Sequence, residues 1–283
     1  MAEDGRPIRN WWLLFPTGLL YAGTFMIPFG ILLVTSFFHF EGGVTTPGLY
    51  FDNYRKVFTD GVTMQVFRNS VILSAWITGI GLLIAYPTAI LMRSLGPKAR
   101  LVMIYVLVSP LLTSIIVRNL AWLLILGRTG IINAWLMDMG LISRPLPLMY
   151  NDFGVIVAVV HVYLPFAVLP IYSALSAIDR RVEAAAASLG AGPVQVFLNV
   201  TLPLSMPGVA AGMTLLFILS MGLYVTPVII GGNFVVTLPM LITSAVRDQY
   251  NWPWASAMSI LLLLSIMAVV LLSTLLTRFS RKG

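Results

Sequence analysis

Asp179-Arg180-Arg181-Val182-Glu183-Ala184-Ala185-Ala186-Ala187-Ser188-Leu189-Gly190, continuing through Ala191-Gly192-Pro193 to Val200-Thr201-Leu202-Pro203, is a polar island between two apolar runs. Asp179 is placed to cap a short helix through the alanines, with Glu183 near its positive end. Four consecutive alanines give high helix propensity and a nearly flat surface. Gly190 and the Gly192-Pro193 pair stop that helix, and a second amphipathic turn follows, with Val194, Phe197 and Leu198 on one side. The stretch reads as a helix-break-helix element parallel to a membrane, suited to pressing into a groove on a soluble partner. The plainer alternative is a solvated loop that only returns the chain.

The flanks establish that a membrane is present. Of 283 residues, 59% are hydrophobic and only 10% charged, with a mean hydropathy of +0.94, too little charge for a soluble domain. In hydrocarbon every backbone N–H and C=O must be satisfied internally, and long unbroken apolar runs select helices over a barrel. The fold class is therefore an all-α membrane protein with six transmembrane helices. Each crosses a core about 30 Å thick with roughly 20 residues. The expected spans are Trp11–Phe38, Val66–Met92, Leu101–Leu126, Gly154–Leu175, Ser205–Ile230 and Ala255–Thr277. The first is expected to remain as an anchor, since its apolar run exceeds the core of a cleaved signal.

Lys and Arg orient the bundle. With the N-terminus inside, ten of 17 cations (Arg6, Arg9, Arg93, Lys98, Arg100, Arg180, Arg181, Arg278, Arg281 and Lys282) fall on the cytoplasmic side. Both termini and the 179–203 loop then face the cytoplasm. The net charge of +7 is accounted for by these loops, and no nucleic-acid partner is expected. On the outer side, Phe51–Phe58 reads as a short surface helix and Arg128–Pro147 as a second excursion. Asp52, Tyr54 and Arg128 there are either solvated or contacts for a soluble receptor.

Several chemistries are excluded. Cysteine is absent and His39 and His161 stand far apart, so no metal site and no cofactor are expected. No Gly-x-x-x-x-Gly-Lys-Ser/Thr precedes Lys56, Lys98 or Lys282, so this chain has no P-loop. No carboxylate lies inside the six expected spans, which argues against a proton- or sodium-coupled secondary transporter. No catalytic residue is assigned. Within the spans Pro87, Pro110, Pro165, Pro170 and Pro227 are expected to bend their helices, either as ordinary kinks or to open a midplane cavity.

The 179–203 stretch resembles the EAA loop of binding-protein-dependent ABC importer permeases: Glu-Ala-Ala, three residues, Gly, nine residues, Ile-x-Leu-Pro. Nine residues separate Gly190 from Val200, and Val-Thr-Leu-Pro closes the pattern. Six residues lie between Glu183 and Gly190 where the family usually has five. Either Glu183 matches a preceding acidic position and Ala184 replaces the usual Glu, or one Ala is inserted; the offset is about 100° around a helix. Pro110–Ser114, Val117–Trp122, Gly127–Asn133, Tyr163–Tyr172 and Pro227–Gly232 further resemble permeases of spermidine/putrescine importers. The likeness runs from about Phe51 to Ala257.

The resemblance implies a type I importer (MetI-like) fold in an inner membrane, with residues 1–283 as one permease domain and a coupling loop at 178–204. It implies two ATPase subunits, a second and different permease subunit, and a periplasmic solute-binding protein. The solute is a small organic amine or polyamine; an opine or aminophosphonate on the same architecture is the alternative. Glu183, Ala184, Ala185, Gly190, Val200, Leu202 and Pro203 are the candidate ATPase-coupling residues. The pathway candidates are Arg118, Asn119, His161, Tyr163 and Tyr224. Arg118 is equally a snorkelling anchor, Asn119 a helix–helix hydrogen bond, His161 a satisfied bundle histidine, and both tyrosines ordinary packing.

Overall fold

A computed structural model describes residues 15–280, with the side chains of 276–280 outside that description. Among the described residues six helices are long and apolar enough to cross a membrane. They are α1 (Phe15–Thr35, containing a π turn at Ala22–Met26), α3 (Gly61–Ser94), the stretch Ile115–Asp138, α7 (Asp152–Ala177), α9 (Pro193–Met221) and the Trp252–Leu275 part of the last helix. Trp11–Leu14 of the first expected span lie outside the described residues, as do Arg6, Arg9, Arg281 and Lys282. The one sheet among the described residues is a hairpin of β1 (His39–Glu41) and β2 (Val44–Thr46), turned by Gly42 and Gly43 at positive φ. Short helices are α2 (Asp52–Thr59), α8 (Arg180–Ser188) and α10 (Leu238–Arg247), and α11 (Trp252–Ser280) closes the chain.

Two spans differ from expectation. The third is not one helix over 101–126. It divides into α4 (Pro97–Val108), a 3-10 turn at Ser109–Leu112, two extended residues, and α5 (Ile115–Leu126), followed by α6 (Ile131–Asp138). Pro110 cannot continue the α ladder, and its carbonyl instead accepts from Thr113 Oγ1 at 2.8 Å and from Arg118 Nη1. The fifth starts earlier and ends sooner than 205–230. Its helix begins at Pro193, passes a π turn at Phe197–Thr201 ahead of Pro203, and stops at Met221. A second π turn at Pro227–Gly231 follows the break.

The chain separates into two compact units. One holds the residues up to Asp60 together with Ile242–Leu261. In it Asn53 donates to the carbonyls of Ser36 at 3.0 Å and Phe38 at 2.7 Å, tying α2 to the link between α1 and β1. The Lys56 ammonium lies 4.7 Å from the Trp254 ring centre.

The other unit spans Gly61–Leu241 and continues from Leu262. Its centre is the mutual packing of α3, α7 and α9. Lipid supplies no hydrophobic drive between helices, so close approach through small residues supplies the contact. Gly208 and Gly212 of α9, one turn apart, face Ala167, Pro170 and Ala174 of α7. A Cβ on Gly208 would stand 2.6 Å from both Ala174 Cβ and the Pro170 carbonyl oxygen. Leu216, one turn further, fills the space over Gly81 of α3. Ala85, Ala89, Ile171 and Leu175 are fully buried around this crossing.

Gly208→Ala is expected to destabilise the permease by about 1–3 kcal/mol, since backbone rather than a flexible side chain must move. Gly79→Ala, whose new Cβ meets nothing within 4 Å, serves as the neutral control. Thermal unfolding in detergent reads the difference, and equal midpoints for the two variants would contradict the packing described.

Candidate functional site: the loop between α7 and α9

The loop is held at both ends by its own backbone chemistry. Asp179 accepts from the Arg181 N–H at 2.9 Å and so caps α8. At the other end Gly190 N–H bonds Ala187 O at 3.0 Å and Ala191 N–H bonds Ala186 O at 3.2 Å, a Schellman closure. Gly190 has φ +89, the left-handed conformation this closure requires. The Gly192 N–H then donates to Gln195 Oε1 at 3.0 Å and Pro193 opens α9. Ala184, Ala185 and Pro203 are exposed, and Val200 and Leu202 are half-buried. Leu189, Val194 and Leu198 are also exposed.

Arg93, in the last turn of α3, ties this element to the bundle. Its guanidinium donates to Glu183 Oε1 at 2.8 Å and Oε2 at 3.0 Å, and to the Ile178 carbonyl at 3.2 Å. Thr201 of α9 donates to the same Glu183 Oε1 at 2.8 Å. A single carboxylate thus joins α3, α8 and α9. Hydrogen bonds from Arg93 hold the Glu183 carboxyl below its ordinary range, against burial and with help from Thr201. Beside it Tyr86 of α3 hydrogen-bonds Ser205 at 2.7 Å, and its ring meets Phe197 edge-on at 5.7 Å. A groove of about 400 Å³ runs between α8 and the start of α9, bordered by Glu183, Ala187, Pro193 and Phe197.

The pathway candidates divide. Arg118 lies within electrostatic reach of both His161 and Tyr163, and the His161 ring meets Trp122 edge-on at 5.6 Å. Arg118 is committed to the Pro110 carbonyl at the α4–α5 break. Tyr163 donates a long 3.5 Å bond to the Leu219 carbonyl of α9. Asn119 is buried, its Oδ1 accepting from Thr226 at 3.3 Å while its amide nitrogen has no partner. Tyr224, half-buried, sits in the break after α9, where its carbonyl accepts from Val228. Asn133, in the second excursion, is wholly buried and bonds Gly127 and both backbone groups of Leu146, holding that loop shut.

Residues 78–282 match the family described as the binding-protein-dependent transport system inner membrane component. This chain belongs to that family. The permease is 36% identical over 237 residues to the spermidine/putrescine transport system permease protein PotB of Haemophilus influenzae, covering 83% of this chain and 82% of that one. It is 31% identical over 225 residues to PotB of Escherichia coli, covering 78% and 80%. A bacterial alginate ABC transporter, solved with an alginate pentasaccharide-bound periplasmic protein, superposes with a TM-score of 0.75 at 17% identity over 96% of each chain. An amino acid ABC transporter gives 0.53 at 18% identity, over 80% of this chain and 98% of that one. These likenesses establish the MetI-like importer permease fold and a multi-pass inner-membrane component.

In this permease the Glu183 carboxylate is bonded within the chain by Arg93 and Thr201. Both its oxygens are occupied within the chain. Arg93, Thr201 and Tyr86 escaped the sequence reading because Arg93 and Glu183 are separated by 90 positions and no local pattern pairs them. The only local sign was a cation ending an apolar helix.

Because the folded carboxyl titrates below its ordinary range, the pair stabilises the loop above that range. The contribution is lost as pH falls through the lowered folded value. Glu183→Gln removes it at every pH, at a cost of about 1–3 kcal/mol for a half-buried charged bond. Hydrogen exchange of residues 180–201, corrected for intrinsic rates, is expected to quicken in the variant at neutral pH. At acid pH the two proteins should converge; a constant gap across pH would refute the assignment.

Proposed function

We propose that this chain is a membrane-spanning subunit of an ABC importer for a small organic amine, foremost a polyamine. A periplasmic binding protein delivers the solute, and ATP hydrolysis on two separate ATPase subunits drives its passage. A second, different permease subunit completes the pathway. Both termini and the 178–204 loop face the cytoplasm in this reading. The likeness to the two PotB permeases supports the solute class.

One observation carries the coupling: α8 is joined through Glu183 to both α3 and α9, while its small-residue face stays bare. Ala184 and Ala185 allow close approach of a partner, and exposed Leu189 and Val194 add apolar contact. A push on α8 is then delivered through a charged pair and a hydroxyl into two spanning helices. Val200, Leu202 and Pro203 continue the second arm directly into α9. The alternative solute, an opine or aminophosphonate, draws on a single feature. The carboxylates Asp138 and Asp152 stand only at span ends, so no described span carries an acid in its interior.

The importer, purified with its ATPase, second permease and binding protein and placed in proteoliposomes, is expected to accumulate labelled spermidine or putrescine only with ATP. Uptake without ATP, or by this chain alone, would remove the reading; uptake of an opine and not a polyamine would select the alternative. Gly190→Leu is expected to abolish uptake and uncouple ATP hydrolysis while the permease still inserts. A Cβ at Gly190 meets nothing within 4 Å, so the harm comes from the left-handed backbone, about 1–2 kcal/mol for an L residue. Normal transport by that variant would displace the coupling element from 178–204.

A further inference from the structure

A cavity of about 290 Å³ opens between α3, the start of α7 and the segment that follows Gly232. Asn69, Leu73 and Trp76 border it from α3, Asp152 from α7, and Phe234 and Val235 from the third wall. The α3 residues recur at helical spacing, so one face of that helix makes the wall. The floor is apolar: Leu73 and Val235 are buried. The rim is different. Trp76 is 60% and Phe234 81% exposed, and Asp152 and Asn69 are exposed beside them.

Asp152 lies in the first turn of α7 and complements that helix's positive end, a role that leaves its carboxylate oxygens unpaired. The N-cap of α7 is Asn151, whose Oδ1 accepts from the Gly154 N–H at 3.0 Å. Among the described residues the Asp152 carboxylate makes no hydrogen bond or ion pair. Facing hydrocarbon, an unpaired carboxylate is costly, so this mouth opens on water or on a solute path. A lone carboxylate with two bare aromatic faces is poor chemistry for a metal ion, which needs several oxygen ligands. It is suitable chemistry for an organic cation: charge and hydrogen bonds at the carboxylate, ring faces for the ammonium, and an apolar floor for methylenes. Phe234 also borders a neighbouring cavity of about 650 Å³ that carries Arg128, which repels a cation and leaves the Asp152 side as its place.

We propose that Asp152, Asn69, Trp76 and Phe234 form a subsite for a primary alkylammonium group. The proposal rests on the amine-importer reading and adds to it a place on this chain where the solute is held. It also supplies the acid that the span interiors lack.

The assembled importer (this chain, its second permease and its ATPases, without binding protein) is labelled with fluorotryptophan in nanodiscs, and the Trp76 fluorine resonance is assigned with Trp76→Phe. Putrescine is expected to move that resonance saturably, and butanediol, of the same length without charge, to leave it in place. Asp152→Asn should weaken the putrescine midpoint about tenfold or more, and Asp152→Glu should restore it. Phe234→Leu should weaken it also, which guards against a folding defect peculiar to Asp152. An equal response to butanediol, or an unchanged midpoint in Asp152→Asn, overturns the subsite. Polyamine uptake with no Trp76 response sinks the subsite and spares the importer reading. A charge-dependent response in an importer that carries no polyamine does the reverse.

Discussion

The close approach of α7 and α9 through Gly208 and Gly212 is the constraint from which the rest follows. These helices are the two flanks of the 179–203 loop, and their separation at Pro170 and Ala174 is too small for even one added methyl. Dispersion between tightly fitted surfaces holds them, because in lipid an apolar side chain gains nothing by merely leaving the solvent. Once the flanks are fixed, the loop between them has few ways to lie. α3 completes the arrangement by placing Gly81 beneath Leu216 and Arg93 beside Glu183.

The charged contact has a different character. A half-buried Arg–carboxylate pair contributes less net stability than its short distances suggest, because both groups give up hydration. Its value lies in geometry. Two parallel bonds from Arg93 fix the angle of the carboxylate, and Thr201 takes a second lone pair of Oε1. Three elements therefore share one centre. The Schellman end at Gly190 and the cap at Asp179 hold both ends of α8 against fraying.

The bundle departs from regular helices where polar groups are available to take freed backbone. At Pro110 the chain changes from α4 to α5, and Thr113 and Arg118 supply the donors. After Met221 the chain loosens through Tyr224 into a π turn, and Thr226 reaches back to buried Asn119. An unpartnered amide nitrogen on Asn119 in that interior marks a place where the packing is not closed on itself. The two irregular regions lie on elements that Arg118, His161 and Tyr163 bring together, which is where polar candidates for a solute path accumulate.

Local pattern determined much of this protein. Apolar run length alone places six spanning helices, and capping chemistry alone predicts the start of α8 at Asp179 and its end at Gly190. The stretch from Gly190 to Pro203 carries a resemblance to the family, because such features involve residues within a few turns of one another. What local pattern cannot contain is the rotation of one helix about its axis against another. That rotation put Arg93 on Glu183 across 90 positions and brought Asp152 and Trp76 to one cavity. It also decided where the third and fifth spans break. A proline announces a missing donor, yet only the neighbours packed around it determine whether the helix bends, widens into a π turn, or ends.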